Sequence, residues 1–180
     1  MEQTTERVWY AMRATYGRNM AAKDIADGMK IINFIPMHYV VKRGGGRVQR
    51  KYVPVIRDLI FVFATKAEIT VLKQHTSYLQ YITRPVNGRN EPIIVPDKQM
   101  QQFINITLSE NKELIYLQPD EINLAHGTRI RIHGGEFNGY EGVFIKLKGK
   151  RNKRVVVDID NLIALAVEIS PELIEVIKEQ

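Results

Sequence analysis

The chain has 180 residues, 44% of them hydrophobic and 26% charged, with 26 Lys and Arg against 20 Asp and Glu for a net +6. This is the balance of a folded chain with one medium domain or two small ones, and it excludes wholesale disorder. The absence of cysteine excludes disulfide frameworks, thiolate nucleophiles and Cys-ligated metal centres. No uncharged run approaches the roughly 18 to 20 apolar residues of a membrane helix. The acidic, polar opening from Met1 to Arg7 does not fit a secretory signal, so a cytoplasmic setting is expected.

Charge is unevenly distributed. Residues 1–110 carry 16 basic and 9 acidic side chains, net +7, whereas residues 111–180 carry 10 and 11, net −1. Glycines divide the other way, six of twelve falling at Gly127, Gly134, Gly135, Gly139, Gly142 and Gly149. Two regions with different local rules predict two domains: 1–108, then a polar linker over 109–126, then 127–180.

In the first region, Val8-Trp9-Tyr10-Ala11-Met12-Arg13-Ala14 reads as a strand closed by Gly17. Ala22, Ile25, Ala26, Met29 and Ile32 then follow helical spacing, with Pro36 beyond the helix end. Strands are predicted over 37–42 and 48–55, joined by Arg43-Gly44-Gly45-Gly46-Arg47. The most hydrophobic run, residues 59–64, is expected to be a central strand. A helix over 66–75, a strand over 78–83, and a third helix opening at Pro96-Asp97 with Met100, Phe103 and Ile104 on one face complete the region. The order predicts an α+β domain, an antiparallel sheet flanked by helices.

In the last third, Arg129-Ile130-Arg131-Ile132-His133 and the run from Val143 to Lys148 alternate in hydrophobicity. Val155, Val157 and Ile159 share one face. Further strands are expected over 162–168 and 173–177. Short strands separated by Gly- and Asn-containing turns imply a small closed β-barrel.

Catalytic patterns are missing from the sequence. His38, His75, His126 and His133 include no helical i, i+4 pair and no third ligand in frame. Gly44-Gly45-Gly46-Arg47 lacks a P-loop ending, and the glycines from Gly134 to Gly142 miss dinucleotide spacing. Asp158 and Asp160 lie on one face of a strand, but no base–nucleophile pairing accompanies them. A solvated surface explains that pair better than a hydrolase does. No enzyme, metal or other cofactor is expected.

Binding surfaces stand out more. Lys42, Arg43, Arg47, Arg50, Lys51 and Arg57 form a run without an acid, and Lys146, Lys148, Lys150, Arg151, Lys153 and Arg154 form a second. Each reads either as a solvated hairpin or as a phosphate-contacting tip. Trp9, Tyr10, Phe61, Phe63, Tyr78 and Tyr81 fall on predicted strands. Most are expected in the core, with a few left to line a groove for a partner helix. Alternation sends Trp9 and Tyr10 to opposite faces, so that at most one of them lies in a given buried layer.

These residues, in this order, resemble the NusG family of transcription elongation factors over almost the whole chain. Trp9-Tyr10-Ala11-Met12-Arg13 with Gly17 is similar to the opening of its N-terminal (NGN) domain, Leu59-Ile60-Phe61-Val62 to its hydrophobic Phe-Val strand, and Ile93-Ile94-Val95-Pro96 to the segment before its last helix. Gly127-Thr128-Arg129-Ile130-Arg131-Ile132 followed by Gly135-Glu136-Phe137-Asn138-Gly139-Tyr140-Glu141-Gly142-Val143 resembles a KOW motif. The resemblance implies an SH3-like five-stranded β-barrel for residues 127–180.

It also implies a non-enzymatic, monomeric factor that rides on RNA polymerase. By position, an apolar pocket of Tyr10, Ile56, Leu59, Phe61 and Ile82 would grip the clamp helices of the largest polymerase subunit. His75 and Thr76 match the opposite rim, with Lys73 and Arg18 as phosphate partners. Lys42, Arg43 and Arg47 are further candidates for contact with non-template DNA or nascent RNA. Phe137, Phe144 and Ile145 would recruit a second partner such as Rho or a small-subunit ribosomal protein. One departure is that Arg57-Asp58-Leu59 stands where the family commonly has Pro-Gly-Tyr or Pro-Asn-Tyr. With the polar linker, it makes the chain resemble the operon-specific antiterminators of Bacteroides capsular polysaccharide loci. The alternative reading is an RNA- or ribosome-binding KOW protein.

Overall fold

The computed structural model describes residues 6–44, 47–109, 114–117, 119–122, 125, 127–147, 149, 151–159 and 161–177, without the side chains of 42–44, 47, 119 and 153. It divides into two compact units, residues 1–97 and 98–180.

In the first unit, β1 (Val8–Ala14) leads through a 3-10 turn into α1 (Asn19–Gly28). Then come β2 (Ile32–Phe34), the hairpin strands β3 (Met37–Gly44) and β4 (Arg47–Pro54), and β5 (Leu59–Ala64). After α2 (Lys66–His75) follow β6 (Leu79–Tyr81), a second hairpin of β7 (Thr83–Val86) and β8 (Arg89–Pro92), and β9 (Ile94–Val95). The main sheet runs β2-β5-β1-β6, with β9 also on β1, and every pairing is antiparallel. The expected antiparallel sheet with helices is therefore present. The helix predicted through Ile32 ends at Gly28, and Ile32 sits on β2, exposed.

Alternation along β1 assigns its side chains. Tyr10, Met12 and Ala14 join Ile60, Val62 and Ala64 of β5 against Ala22 and Ala26 of α1 and Ile69 and Leu72 of α2. Trp9, Ala11 and Phe61 are buried as well, so this sheet is buried on both faces rather than in one layer. The Trp9 indole N–H donates to Asp97 Oδ1 at 3.1 Å.

Helix α2 begins where a capping box forms: Thr65 Oγ1 accepts the Glu68 N–H at 3.2 Å, and Glu68 Oε2 accepts the Thr65 N–H at 2.8 Å. The same carboxylate takes Arg7 Nη2 at 2.5 Å. These bonds, Arg7's first and then Thr65's, hold the Glu68 carboxyl below the usual carboxylate range.

The second unit starts in α3 (Asp97–Leu108), with Met100, Phe103 and Ile106 buried. Strands β10 (Ile115–Leu117), β11 (Thr128–Ile132), β12 (Glu141–Lys146), β13 (Lys153–Ile159), β14 (Ile163–Val167) and β15 (Ile174–Val176) form one antiparallel sheet, ordered β10-β14-β13-β12-β11-β15.

This corrects the expected SH3-like five-stranded barrel. Among the described residues there are six strands, not five, and no pairing joins the end strands β10 and β15, so the sheet is not closed. The physical reason lies in the supposed linker. Ile115-Tyr116-Leu117 pairs with β14 through Ala166, Leu165 and Ala164, covering an edge that closure would need. Both faces of β14 are buried: Ala164 and Ala166 face Leu117 and Val156, and Ile163, Leu165 and Val167 belong to the buried set with Ile130, Ile132 and Val155. Such strands read as continuous apolar runs.

Three substitutions test these local geometries. Thr65→Ala should lower urea-measured stability by about 1 kcal/mol through loss of the cap. Because the Glu68 pKa is lowered on folding, its contribution is full above its unfolded value and is lost as pH falls through the folded one. Glu68→Gln should therefore flatten the acid limb of the stability profile. In the second unit, a Cβ on Gly142 would lie 2.7 Å from the Val156 carbonyl oxygen and 2.8 Å from Val155 Cγ1. Gly142→Ala should cost about 1 to 3 kcal/mol in thermal or urea melts, because backbone must shift to admit the methyl.

Candidate functional site

The turn after β1 is built from charges that look foreign to an apolar pocket. Asp58 Oδ1 accepts the Gly17 N–H at 2.8 Å, and the Asp58 carbonyl accepts the Ala14 N–H at 2.8 Å. Arg57 lies along Gly17, where an added Cβ would be 2.5 Å from its Nε. The residues that depart from the family pattern thus tie the start of β5 to the end of β1. Buried Asn19 adds a second tie, its Nδ2 donating to the carbonyls of Ile56 at 3.3 Å and Leu59 at 3.1 Å.

The turn holds Tyr16 at φ 62° and leaves its ring 83% exposed. A non-glycine residue in this region is uncommon. The Arg18 guanidinium lies 3.9 Å from the centroid of Tyr78 and 5.4 Å from that of Tyr16. Close to α2, Lys73 Nζ sits 5.1 Å from the Tyr81 ring centroid, and Tyr81 meets Tyr10 edge-on at 5.3 Å. Burial raises the pKa of both phenols, and for Tyr81 the neighbouring Tyr10 adds to it. The result is a cationic surface held on aromatic rings. Both contacts are cation–π attractions, which hold a cation in place without pairing it to a carboxylate.

The proposed pocket residues do not converge. Tyr10 is 2% exposed in the α1–α2 core. Phe61, fully buried, pairs with Ala11 in the β1–β5 register and so points to the opposite face, as does Leu59 opposite Arg13. Ile56 and Ile82 are half-buried. On the rim, Arg18 and His75 are exposed and Lys73 is half-buried. Thr76 is buried, and its hydroxyl donates to the Leu72 carbonyl at 2.7 Å. Lys42, Arg43 and Arg47 lie on β3 and β4, with their side chains outside the described residues.

In the second unit, Phe137 is buried and stacks on Tyr140 at 5.7 Å. Phe144 lines a groove of about 460 Å³ with Arg151, Asn152, Glu168, Ile169 and Pro171. Ile145 faces the other way, into the Leu117–Val156 cluster. The second basic run is thinner than its sequence suggests. Arg154 turns inward and its Nη2 donates to Glu168 Oε2 at 3.1 Å, whereas Lys148, Lys150 and the Lys153 side chain lie outside the described residues. Asp158 accepts the Asn161 N–H at 3.1 Å and so closes a turn; Asp160 and His126 lie outside the described residues. His133 Nε2 is 2.5 Å from Glu175 Oε2. Among the described residues, no group of three or more His, Asp and Glu could hold a metal ion, and no helix is long and apolar enough to cross a membrane.

Sequence reading missed Tyr16, Asp58 and Asn19. Asp58 stood out only as a departure from the family pattern, because the N–H it accepts from belongs to Gly17, distant in sequence. Because Tyr10 and Phe61 are core residues, Tyr10→Ala and Phe61→Ala should each register first as lost stability. For Phe61 the expected loss is about 3 to 5 kcal/mol in denaturant titration.

No curated protein matches the chain. Among solved structures it is similar to the one described as "Domain interaction in Thermotoga maritima NusG", at 16% identity and a TM-score of 0.46, covering 96% of this chain and 98% of that one. The family model described as "Transcription termination factor nusG" matches residues 7–104, more than half of the sequence. The chain therefore belongs to the NusG family, whose members are transcription factors and not enzymes.

Proposed function

We propose that this protein rides on RNA polymerase, docks on the clamp helices of the largest subunit through its first unit, and modulates pausing or termination. The observation that carries the reading is the family match over residues 7–104, which falls on the region with net charge +7. In this reading the half-buried Ile56 and Ile82 meet the polymerase, while the buried Tyr10, Leu59 and Phe61 hold together the sheet that carries them. Arg18, Lys73 and His75 orient non-template DNA or nascent RNA. The groove at Phe144 receives a recruited partner such as Rho or a small-subunit ribosomal protein. The charged Arg57-Asp58 turn and the strand-forming segment before β11 favour a specialised, operon-specific antiterminator of the capsular polysaccharide type, working in the cytoplasm.

The test is capture of cognate core RNA polymerase by the full chain at low and high salt. Wild type should capture at both, because an apolar dock is insensitive to screening. The Ile56→Ser, Ile82→Ser variant should lose about tenfold or more in affinity while melting as a folded protein. Arg18→Glu should weaken capture mainly at low salt. No capture by wild type at either salt would overturn the polymerase reading in favour of RNA or ribosome binding.

A further inference from the structure

The hairpin of β3 and β4 forms a two-stranded sheet of its own. Its register pairs Tyr39 with Tyr52 and Val41 with Arg50, so these four side chains and Val48 share one face. That face is not used as a core. Tyr39 is 61% exposed and Tyr52 54%, and Val41 and Val48 are exposed too. The two rings stack at 4.8 Å with a 39° tilt, and the Arg50 guanidinium stands 4.6 Å from the Tyr39 centroid. Between Lys42 and Arg57 the sequence has six basic residues and no acid.

We infer that the Tyr39–Tyr52 face is a stacking platform for the bases of a single-stranded nucleic acid. Exposed rings beside cations on an acid-free ribbon offer the two things an unpaired strand needs, namely π-faces for bases and positive charge for phosphates. A duplex already has its bases stacked and gains nothing from the rings. Ring stacking and phosphate pairing leave the 2′-hydroxyl unused, so the platform takes an unpaired DNA or RNA strand alike. The inference deepens the nucleic-acid side of the proposed function and rests on it. The residues are new to that reading.

The experiment measures anisotropy of labelled oligo-dT with the full chain, beside an abasic strand, oligo-rU and a duplex of the same length. Wild type should bind oligo-dT more tightly than the abasic strand and the duplex, and should bind oligo-rU comparably. Tyr39→Ala with Tyr52→Ala should lose about tenfold or more, and Tyr39→Phe with Tyr52→Phe should retain binding. Tyr39→Leu with Tyr52→Leu keeps an apolar, strand-compatible pair without π-faces, and should also lose binding should the alanine pair disturb the hairpin. An abasic strand or a duplex bound as tightly as oligo-dT would overturn the proposal. So would a folded leucine variant that binds like wild type. Polymerase capture by the same variants reports the docking reading separately. In the wild type, intact capture with weak oligo-dT binding overturns the platform alone, and absent capture with strong oligo-dT binding overturns the dock alone.

Discussion

Strand β1 is hydrogen-bonded along both edges, to β5 on one side and to β6 and β9 on the other, and the rest of the first unit depends on its register. Only β2 reaches the main sheet without touching it, and does so through β5. A slip of one residue would carry Arg13 into the α1–α2 core and put Tyr10 on the opposite face, because side chains alternate with period two. Asp58 guards against that slip from the far end. Its carbonyl accepts from Ala14 and its carboxylate from Gly17, so one residue fixes both the last pairing of β1 and the turn that follows.

Such a strand consumes its own aromatics. With both faces buried, Trp9, Tyr10 and Phe61 are committed to holding the sheet and cannot also project as anchors for a partner. Ring surface is left at the margins, on Tyr16, Tyr78 and Tyr81 near α2 and on Tyr39 and Tyr52 of the hairpin. There the rings hold cations. A guanidinium over a ring is immobilised without being neutralised, whereas one paired to a carboxylate, as in Arg7–Glu68 or Arg131–Glu141, has spent much of its field. The ring-held cations are thus the ones suited to an external anion.

Much of this was legible in the sequence wherever one period dominated. The run from Val8 to Ala14, the apolar run from Leu59 to Ala64 and the helix from Lys66 to His75 lie where alternation, β-branching and a Thr-x-x-Glu cap place them. What escaped was structure whose signal is short or whose partner is distant. The β7–β8 hairpin has four residues a side, yet Asn87-Gly88 carried its mark, with both residues at positive φ as a type I′ turn requires. Strand β10 is three residues in a polar stretch, and only its pairing to β14 makes it a strand. The closed barrel failed for the same reason, because local alternation does not say where a sheet's last edge goes. At the site, residue type alone could not divide Tyr10 from Tyr16, one buried and the other exposed. The strand register and the left-handed turn decide that.

The two units solve the problem of charge differently, and this bears on what each can bind. Among the described residues of the second, several cations are matched within the sheet: Arg154 with Glu168, Arg131 with Glu141, His133 beside Glu175. Its groove at Phe144 carries Arg151 and Glu168 together, a mixed surface that suits a protein partner with charges of both signs better than a polyanion. In the first unit, Arg18, Lys73 and Arg50 rest on tyrosines, and the acid-free ribbon adds to them. A strand of phosphates gains from each such charge in proportion to the counterions it releases, a gain that matched pairs cannot supply. The division of net charge, +7 against −1, is therefore a division of partner chemistry. It follows from where rings, and not carboxylates, were placed beside the cations.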